Sequence, residues 1–279
     1  TRMTLDKIEL GELLDFAVDL ARDAGEITLK YFRRAPETFT KSDGSFVTIA
    51  DREAEAYVRQ TIAARHPDDS ILGEEEGESK GRSGRRWIVD PIDGTFSFVH
   101  GVPLYGVLIG LEIDGEASVG VVNIPALDEI VYAAKDLGCF FNGKPSSVSS
   151  TATLEESLLL STDFHGCIKY GFGKAAGELQ RRVKANRTWG DCYGHLLVAT
   201  GRAEVMLDPV MNLWDCAALL PIIEEAGGTF TNWHGERTIT GGNAMSTNGV
   251  LFDEVMRIVL SADNTEPGAV ATALNNERV

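Results

Sequence analysis

The chain has 279 residues and a formal net charge of −16, from 26 basic and 42 acidic side chains. Nucleic-acid binding needs a basic surface that displaces counterions, and the short run Arg82, Arg85 and Arg86 is isolated, so nucleic acid is excluded as a partner. A composition of 43% hydrophobic and 24% charged residues suits a globular chain of one large domain or two sharing an interface, and no stretch approaches the roughly 18 apolar residues of a membrane span.

The first segment carries Leu10, Leu13, Leu14, Ala17, Val18, Ala21 and Ala24 at three- and four-residue steps, which predicts a helix ended by Pro36. A second helix is predicted over Thr48–Arg65, closed by Pro67 and the pair Asp68 and Asp69. Ile71 and Leu72 form a short apolar piece ahead of an acidic run. Gly, Ser and charge dominate from Gly77 to Arg86, which reads as a mobile loop. Trp87–Val89 reads as a buried strand, followed by a turn at Asp90–Gly94. Two β-branched runs, Tyr105–Asp114 and Ala117–Ile124, flank Asp114-Gly115 as a hairpin. Glu129–Ala134 and Gly138–Phe141 continue the strands, and Asn142-Gly143 is another tight turn.

The Ser/Thr-rich stretch Ser146–Thr153 marks a domain boundary. It divides an N-terminal α+β domain, 1–150, from a C-terminal α/β domain, 151–262. Beyond it, Ser157–Ser161 reads as a strand, Tyr170–Lys184 as helical apart from its glycines, and Asp191–Ala199 as a helix. Ala203–Leu207 reads as a strand and Trp214–Ala226 as one strong helix, stopped by Gly227-Gly228. Strand-like pieces at Gly228–Phe230 and Ala244–Thr247 precede a final helix, Leu251–Ser261. The tail, 263–279, has almost no large apolar side chains and reads as disordered.

The chemistry concentrates in carboxylates. In WIVDPIDGTFSF, a strand delivers Asp90 to a turn, Pro91 fixes the backbone, and Asp93 returns a second carboxylate. Hard divalent cations want such oxygen ligands at short distances. The backbone N–H groups of Gly94 and Thr95 would then face a phosphate. An ordinary Asp-Gly turn is the plainer alternative. Glu74 follows Leu72-Gly73 as a strand-end carboxylate would, whereas Glu76 suits a solvated face. Asp215 lies in the first turn of an apolar helix, where a helix cap worth about 1 kcal/mol is the competing role.

The segments GEE, DPIDGT and WDCAALLPIIEEAGG, in this order, resemble the inositol monophosphatase superfamily, over about Asp15 to Leu260. The resemblance implies a layered αβαβα fold of the α+β class, a homodimer, and lithium-sensitive, Mg2+-dependent hydrolysis of a small phosphate monoester. By matching positions it implies that Glu74 and Asp90 ligate a first metal with the backbone carbonyl of Ile92, and Asp90, Asp93 and Asp215 a second. Asp93, Gly94 and Thr95 then contact the phosphate, and Thr95 orients the attacking water. Asp51 backs that water and a weaker third metal site, and Lys41 matches the lysine that precedes the Asp51 motif. The physical logic agrees: a dianionic ester repels hydroxide, and roughly two or three Mg2+ ions would neutralise it, lower the pKa of water and stabilise the leaving alkoxide. A thiol phosphatase needs a cysteine in a Gly/Arg phosphate loop, and Cys139, Cys167, Cys192 and Cys216 have none. They also lack zinc-site spacing and read as reduced, buried thiols of a cytoplasmic protein.

Substrate choice falls to RTWGDCYGHLLVATGRAEVMLD, from Arg187 to Asp208. With Asp208 and the Gly190-Asp191 pair it looks closer to the histidinol-phosphate phosphatase branch than to inositol phosphatases. Carboxylates at 191 and 208 suit a cationic leaving group, whereas a polyol needs only hydroxyl partners. A helix N-cap at Asp191 and a turn residue at Asp208 are the structural alternatives. Glu129 and Asn212 are weaker candidates for substrate contact, and Trp189 is a candidate for the pocket wall. His66, His100, His165, His195 and His234 show no metal-ligand spacing. An inositol or broad sugar phosphatase is the competing enzyme, and a metal-stabilised scaffold that has lost catalysis the competing class.

Overall fold

A computed structural model describes residues 6–34, 38–40 and 46–263, so Lys41 and the segment 264–279 lie outside the described residues. The first helix, α1 (Lys7–Leu29), buries Leu10, Leu13, Leu14, Ala17, Leu20, Ala21 and Ala24 along one face, and Asp6 caps it by accepting from the N–H groups of Ile8 and Glu9. Strands β1 (Thr38–Thr40) and β2 (Phe46–Thr48) pair and lead into α2 (Ile49–Arg65). There follow β3 (Ser70–Gly73), β4 (Gly77–Ser79), β5 (Arg85–Asp93) and the five-residue helix α3 (Thr95–Val99). The strands β6 (Gly106–Ile113), β7 (Glu116–Ile124), β8 (Glu129–Ala134), β9 (Gly138–Phe141) and β10 (Lys144–Ser146) complete the first half.

These strands form an eight-stranded sheet in the order β10-β9-β8-β7-β6-β5-β3-β4, antiparallel except where β3 runs parallel to β5. After the 146–153 stretch come β11 (Leu158–Ser161), α4 (Phe164–Lys169), α5 (Gly173–Arg182), β12 (Ala185–Arg187) and α6 (Asp191–Ala199). The chain continues through β13 (Val205–Asp208), α7 (Leu213–Ala217), α8 (Leu219–Glu225), β14 (Thr229–Thr231), β15 (Ala244–Thr247) and α9 (Phe252–Asp263). The second sheet has five strands, β12-β11-β13-β15-β14.

Alternation along the strands builds the layers. Trp87, Val89, Val107, Ile109 and Leu111 face α1 and α2, while Ile88 and Leu108 face the opposite way, onto α6, α7 and α8. In the small sheet Leu160, Met206 and Ala244 join that same central core, and Leu159, Val205, Leu207 and Met245 face α5 and α9. The result is an α+β fold with the layers αβαβα.

Four local readings are corrected. The segment from Gly77 to Arg86 is not a loop throughout: β3 and β4 close as a hairpin over a three-residue turn with Gly77 at φ 70°, and Arg86 stands opposite Glu112 in the β5–β6 ladder. The Asp90–Gly94 turn is a continuation of β5 to Asp93, with the ladder to β6 shifting register between Asp90 and Asp93. The helix predicted over Trp214–Ala226 is two, α7 and α8, meeting at Ala218. Pro221 explains the break, because it has no N–H for the Ala217 carbonyl and its ring crowds that carbonyl. In the 170–184 stretch the helix begins only at Gly173.

Candidate metal centre

Asp90, Asp93 and Asp215 each place a carboxylate oxygen within 4.8 Å of the others. The irregular end of β5 supplies the first two. Asp90 is buried, and its Oδ1 accepts the Ile92 N–H at 3.0 Å. Gly94, at φ 82°, turns the chain out of the strand into α3, and the Thr95 hydroxyl donates to the Ile92 carbonyl at 3.0 Å. Asp215 comes from the second half of the chain. Its helix lies directly on the large sheet because Gly120 has no side chain: a Cβ there would sit 2.0 Å from the Ala218 carbonyl oxygen. Asp215 is the third residue of α7, and its Oδ2 accepts the N–H of the capping residue Asn212 at 2.6 Å.

Asp51 is held by the same device at the start of α2. Its Oδ2 accepts the N–H and the hydroxyl of Thr48, at 2.7 and 2.6 Å, and its buried Oδ1 has no hydrogen-bond partner. Glu74 opens the turn after β3, and its N–H donates to the Val89 carbonyl at 3.2 Å, stitching the turn to β5 just before Asp90.

The electrostatics match this crowding. Burial, and then the charges of Glu74, Asp93 and Asp215, push the Asp90 carboxyl well above its ordinary value. Burial with Asp215 lifts Asp93 to about 7. Burial chiefly lifts Asp215 to about 7 as well, against the Asn212 bond that lowers it. Asp51 is pushed to about 7 by burial, with Glu75 and Glu74 adding to it. Several oxygen donors that repel one another, with a buried oxygen lacking any donor, fit a hard divalent cation.

A second set of carboxylates adjoins the first. Gly190 is the N-cap of α6, so Asp191 is its first helical residue rather than its cap, and it adopts a left-handed φ of 53°. The Asp191 N–H donates to the Thr162 hydroxyl at 2.8 Å, and that hydroxyl donates to Asp208 Oδ2 at 2.7 Å. The next N–H, of Cys192, donates to Asp93 Oδ2. A Cβ on Gly94 would lie 3.0 Å from Asp191 Oδ2, so this carboxylate rests against the metal-centre turn. Burial, with Asp93 nearby, lifts Asp191 to about 8, and burial raises Asp208 well above its usual value despite the Thr162 bond. Thr162 carried no sequence signal, because nothing in its neighbourhood shows that it meets residues 191 and 208.

Other candidates sit in different settings. Both terminal nitrogens of Arg202 grip the Glu129 carboxylate, at 3.1 and 3.2 Å, so it is committed to that pair at the start of β8. Arg187 is exposed at the end of β12 and donates to the carbonyl of Asn186. Trp189 is 43% exposed. His100 stacks on Phe96 with ring centroids 4.3 Å apart, and His195 is buried with its Nδ1 2.7 Å from the Ser246 hydroxyl. The four cysteines are free and buried.

A layered α+β fold that brings three aspartate carboxylates together fits a class of enzymes built around a hard divalent cation. The chain belongs to the inositol monophosphatase family, whose model matches residues 9–274. A histidinol-phosphatase of Chlorobaculum parvum is 47% identical over 83% of this chain and 90% of its own length. One from Mycobacterium tuberculosis is 41% identical over 87% of this chain and 96% of its own. Among solved structures, the Thermotoga maritima IMPase superposes with a TM-score of 0.82 at 32% identity, covering 91% of this chain and 98% of that one. The chain is therefore an enzyme of a phosphatase family, and no described helix is long and apolar enough to cross a membrane.

Proposed function

We propose that this enzyme is a Mg2+-dependent histidinol-phosphatase, which hydrolyses L-histidinol phosphate to L-histidinol and phosphate in histidine biosynthesis. The observation that carries the substrate is the Asp191–Thr162–Asp208 link beside Gly94, which adds two carboxylates to those of the metal centre. A leaving group with an amine and an imidazole pairs with such carboxylates, and a neutral polyol does not require them. The names of the two relatives described above support the same substrate.

Glu74, Asp90, Asp93, Asp215 and the Ile92 carbonyl would hold the metal. A divalent cation such as Mg2+ held by these groups would supply the positive charge that offsets the ester dianion, acidifies a water nucleophile and steadies the leaving alkoxide. The chain's own part is positional. The Thr95 hydroxyl, 3.0 Å from the Ile92 carbonyl, orients the attacking water, with Asp51 behind it. The N–H groups of Gly94 and Thr95 receive the phosphate in line, and no side chain becomes phosphorylated. Lithium inhibition and a homodimer belong to the same proposal through the family likeness, and a cytoplasmic location through the free thiols.

The competing substrate is an inositol or sugar phosphate: a Thermotoga maritima relative, 35% identical, is named fructose-1,6-bisphosphatase/inositol-1-monophosphatase. Steady-state phosphate release from histidinol phosphate and from myo-inositol 1-phosphate decides between them. The larger kcat/KM is expected for histidinol phosphate, and a larger value for the inositol ester overturns the assignment.

A further inference from the structure

The turn that carries Glu74 is gripped from within by a residue outside the expected metal and substrate set. Glu55 of α2 is 0% exposed. Its Oε2 accepts the Glu75 N–H at 2.8 Å, and its Oε1 accepts the Glu76 N–H at 3.0 Å and Arg59 Nε at 2.8 Å. Arg59 in turn donates to the Gly77 carbonyl and, at 3.3 Å, to the Ser79 hydroxyl. Helix α2 thus holds the last two residues of the β3–β4 turn and the strand β4 that follows it.

Gly73 shows that the sequence makes room for this carboxylate. A Cβ at Gly73 would lie 2.2 Å from Glu55 Oε1 and 2.7 Å from Oε2. The glycine is required by the neighbour. The backbone there is extended strand, where any residue fits. A simple Glu–Arg pair one helical turn apart would account for one carboxylate oxygen and would sit at the surface. It would not account for burial, for two turn N–H groups, or for the missing side chain at position 73. Glu55 lies four residues after Asp51, on the same face of α2, so one helix presents two carboxylates to one turn.

We propose that Glu55 is a positioning residue of the metal centre: it fixes the backbone of Glu75 and Glu76, and thereby the approach of Glu74 to Asp90. This rests on the reading of Glu74 as a metal ligand. Three donors converge on two acceptor oxygens, so an amide at position 55 would turn an NH2 group toward a donor. An aspartate is one methylene too short to reach the same groups.

The test is calorimetric titration of Mg2+ into chelator-treated wild-type, Glu55→Gln and Gly73→Ala proteins, with thermal unfolding of each metal-free form. Groups that orient metal ligands typically carry about 10–100-fold in affinity. Both variants should bind Mg2+ more weakly by roughly that factor while their metal-free forms still unfold cooperatively. Turnover of an aryl phosphate should recover as Mg2+ is raised in proportion. Gly73→Ala keeps the Glu55 charge and displaces its carboxylate, so a loss shared by both variants reports position rather than charge. If Glu55→Gln fails to fold, Gly73→Ala decides alone. Folded variants that bind Mg2+ within about twofold of wild type overturn the inference. Wild-type protein that binds no Mg2+ overturns the metal reading, and this inference with it.

Discussion

Replacing Asp93 with asparagine should make the metal-free protein more stable while removing its catalysis. Burial, Asp215 and Glu74 hold the Asp93 carboxyl at about 7, against an ordinary 3.8. At about 1.4 kcal/mol per tenfold in proton affinity, ionising it in the fold costs about 4 kcal/mol. Partial exposure to water trims that to the order of 2–4 kcal/mol. The folded value is raised, so wild-type stability from this group is fully present near pH 4 and is lost as pH rises through about 7. An asparagine does not titrate, and its carbonyl oxygen can still accept the Cys192 N–H. Metal-free Asp93→Asn should therefore match wild type near pH 4 and exceed it above pH 7, by roughly 3–7 °C in melting temperature. The assay is thermal unfolding of chelator-treated protein at pH 4.5 and 8.5, repeated with Mg2+, alongside phosphate release. With Mg2+ the order should reverse, and kcat should fall by orders of magnitude. An asparagine variant no more stable than wild type at pH 8.5 without metal would show that the Asp93 charge is not destabilising in the fold, and wild-type turnover would remove Asp93 from the metal centre.

Asp191→Ala should lower kcat/KM for histidinol phosphate roughly 10–100-fold more than for p-nitrophenyl phosphate, the worth of a charge-assisted hydrogen bond of about 1.5–3 kcal/mol. Equal losses on both substrates would make Asp191 structural. Thr162→Val removes both the acceptor for the Asp191 N–H and the donor to Asp208, so it should show the same selectivity, with Thr162→Ser restoring activity. Unchanged kinetics in the valine variant contradict that link. Stabilisation by Mg2+ should be larger at pH 8 than at pH 5.5, because Asp51, Asp93 and Asp215 hold protons up to about 7 that binding must displace. A melting-temperature shift independent of pH would count against those carboxylates as ligands.

The sequence announced the layers well where period and punctuation agreed. Val107, Ile109 and Leu111 alternate with Leu108, and Asp114-Gly115 closes the hairpin to β7. Asp90 and Asp93 were conspicuous because Pro91 and Gly94 flank them in a short run, and the structure brings Asp215 to them. Charge hid β4 and the start of β5: Arg86 looks like loop composition until Glu112 is placed opposite it. The break between α7 and α8 lay in plain view at Pro221, yet the apolar run around it reads as one helix. Thr162 and Glu55 were invisible for a different reason. Apart from the Glu55–Arg59 pair, their partners are backbone N–H groups and the distant Asp208 carboxylate, and such bonds leave no spacing to read.

A crystal structure with Ca2+ and intact histidinol phosphate would locate both the cations and the leaving group. It should show cations among the oxygens of Glu74, Asp90, Asp93 and Asp215, and the substrate ammonium in hydrogen-bond reach of Asp191 or Asp208. Cations bound elsewhere, or an amine pointing away from both aspartates into solvent, would contradict it.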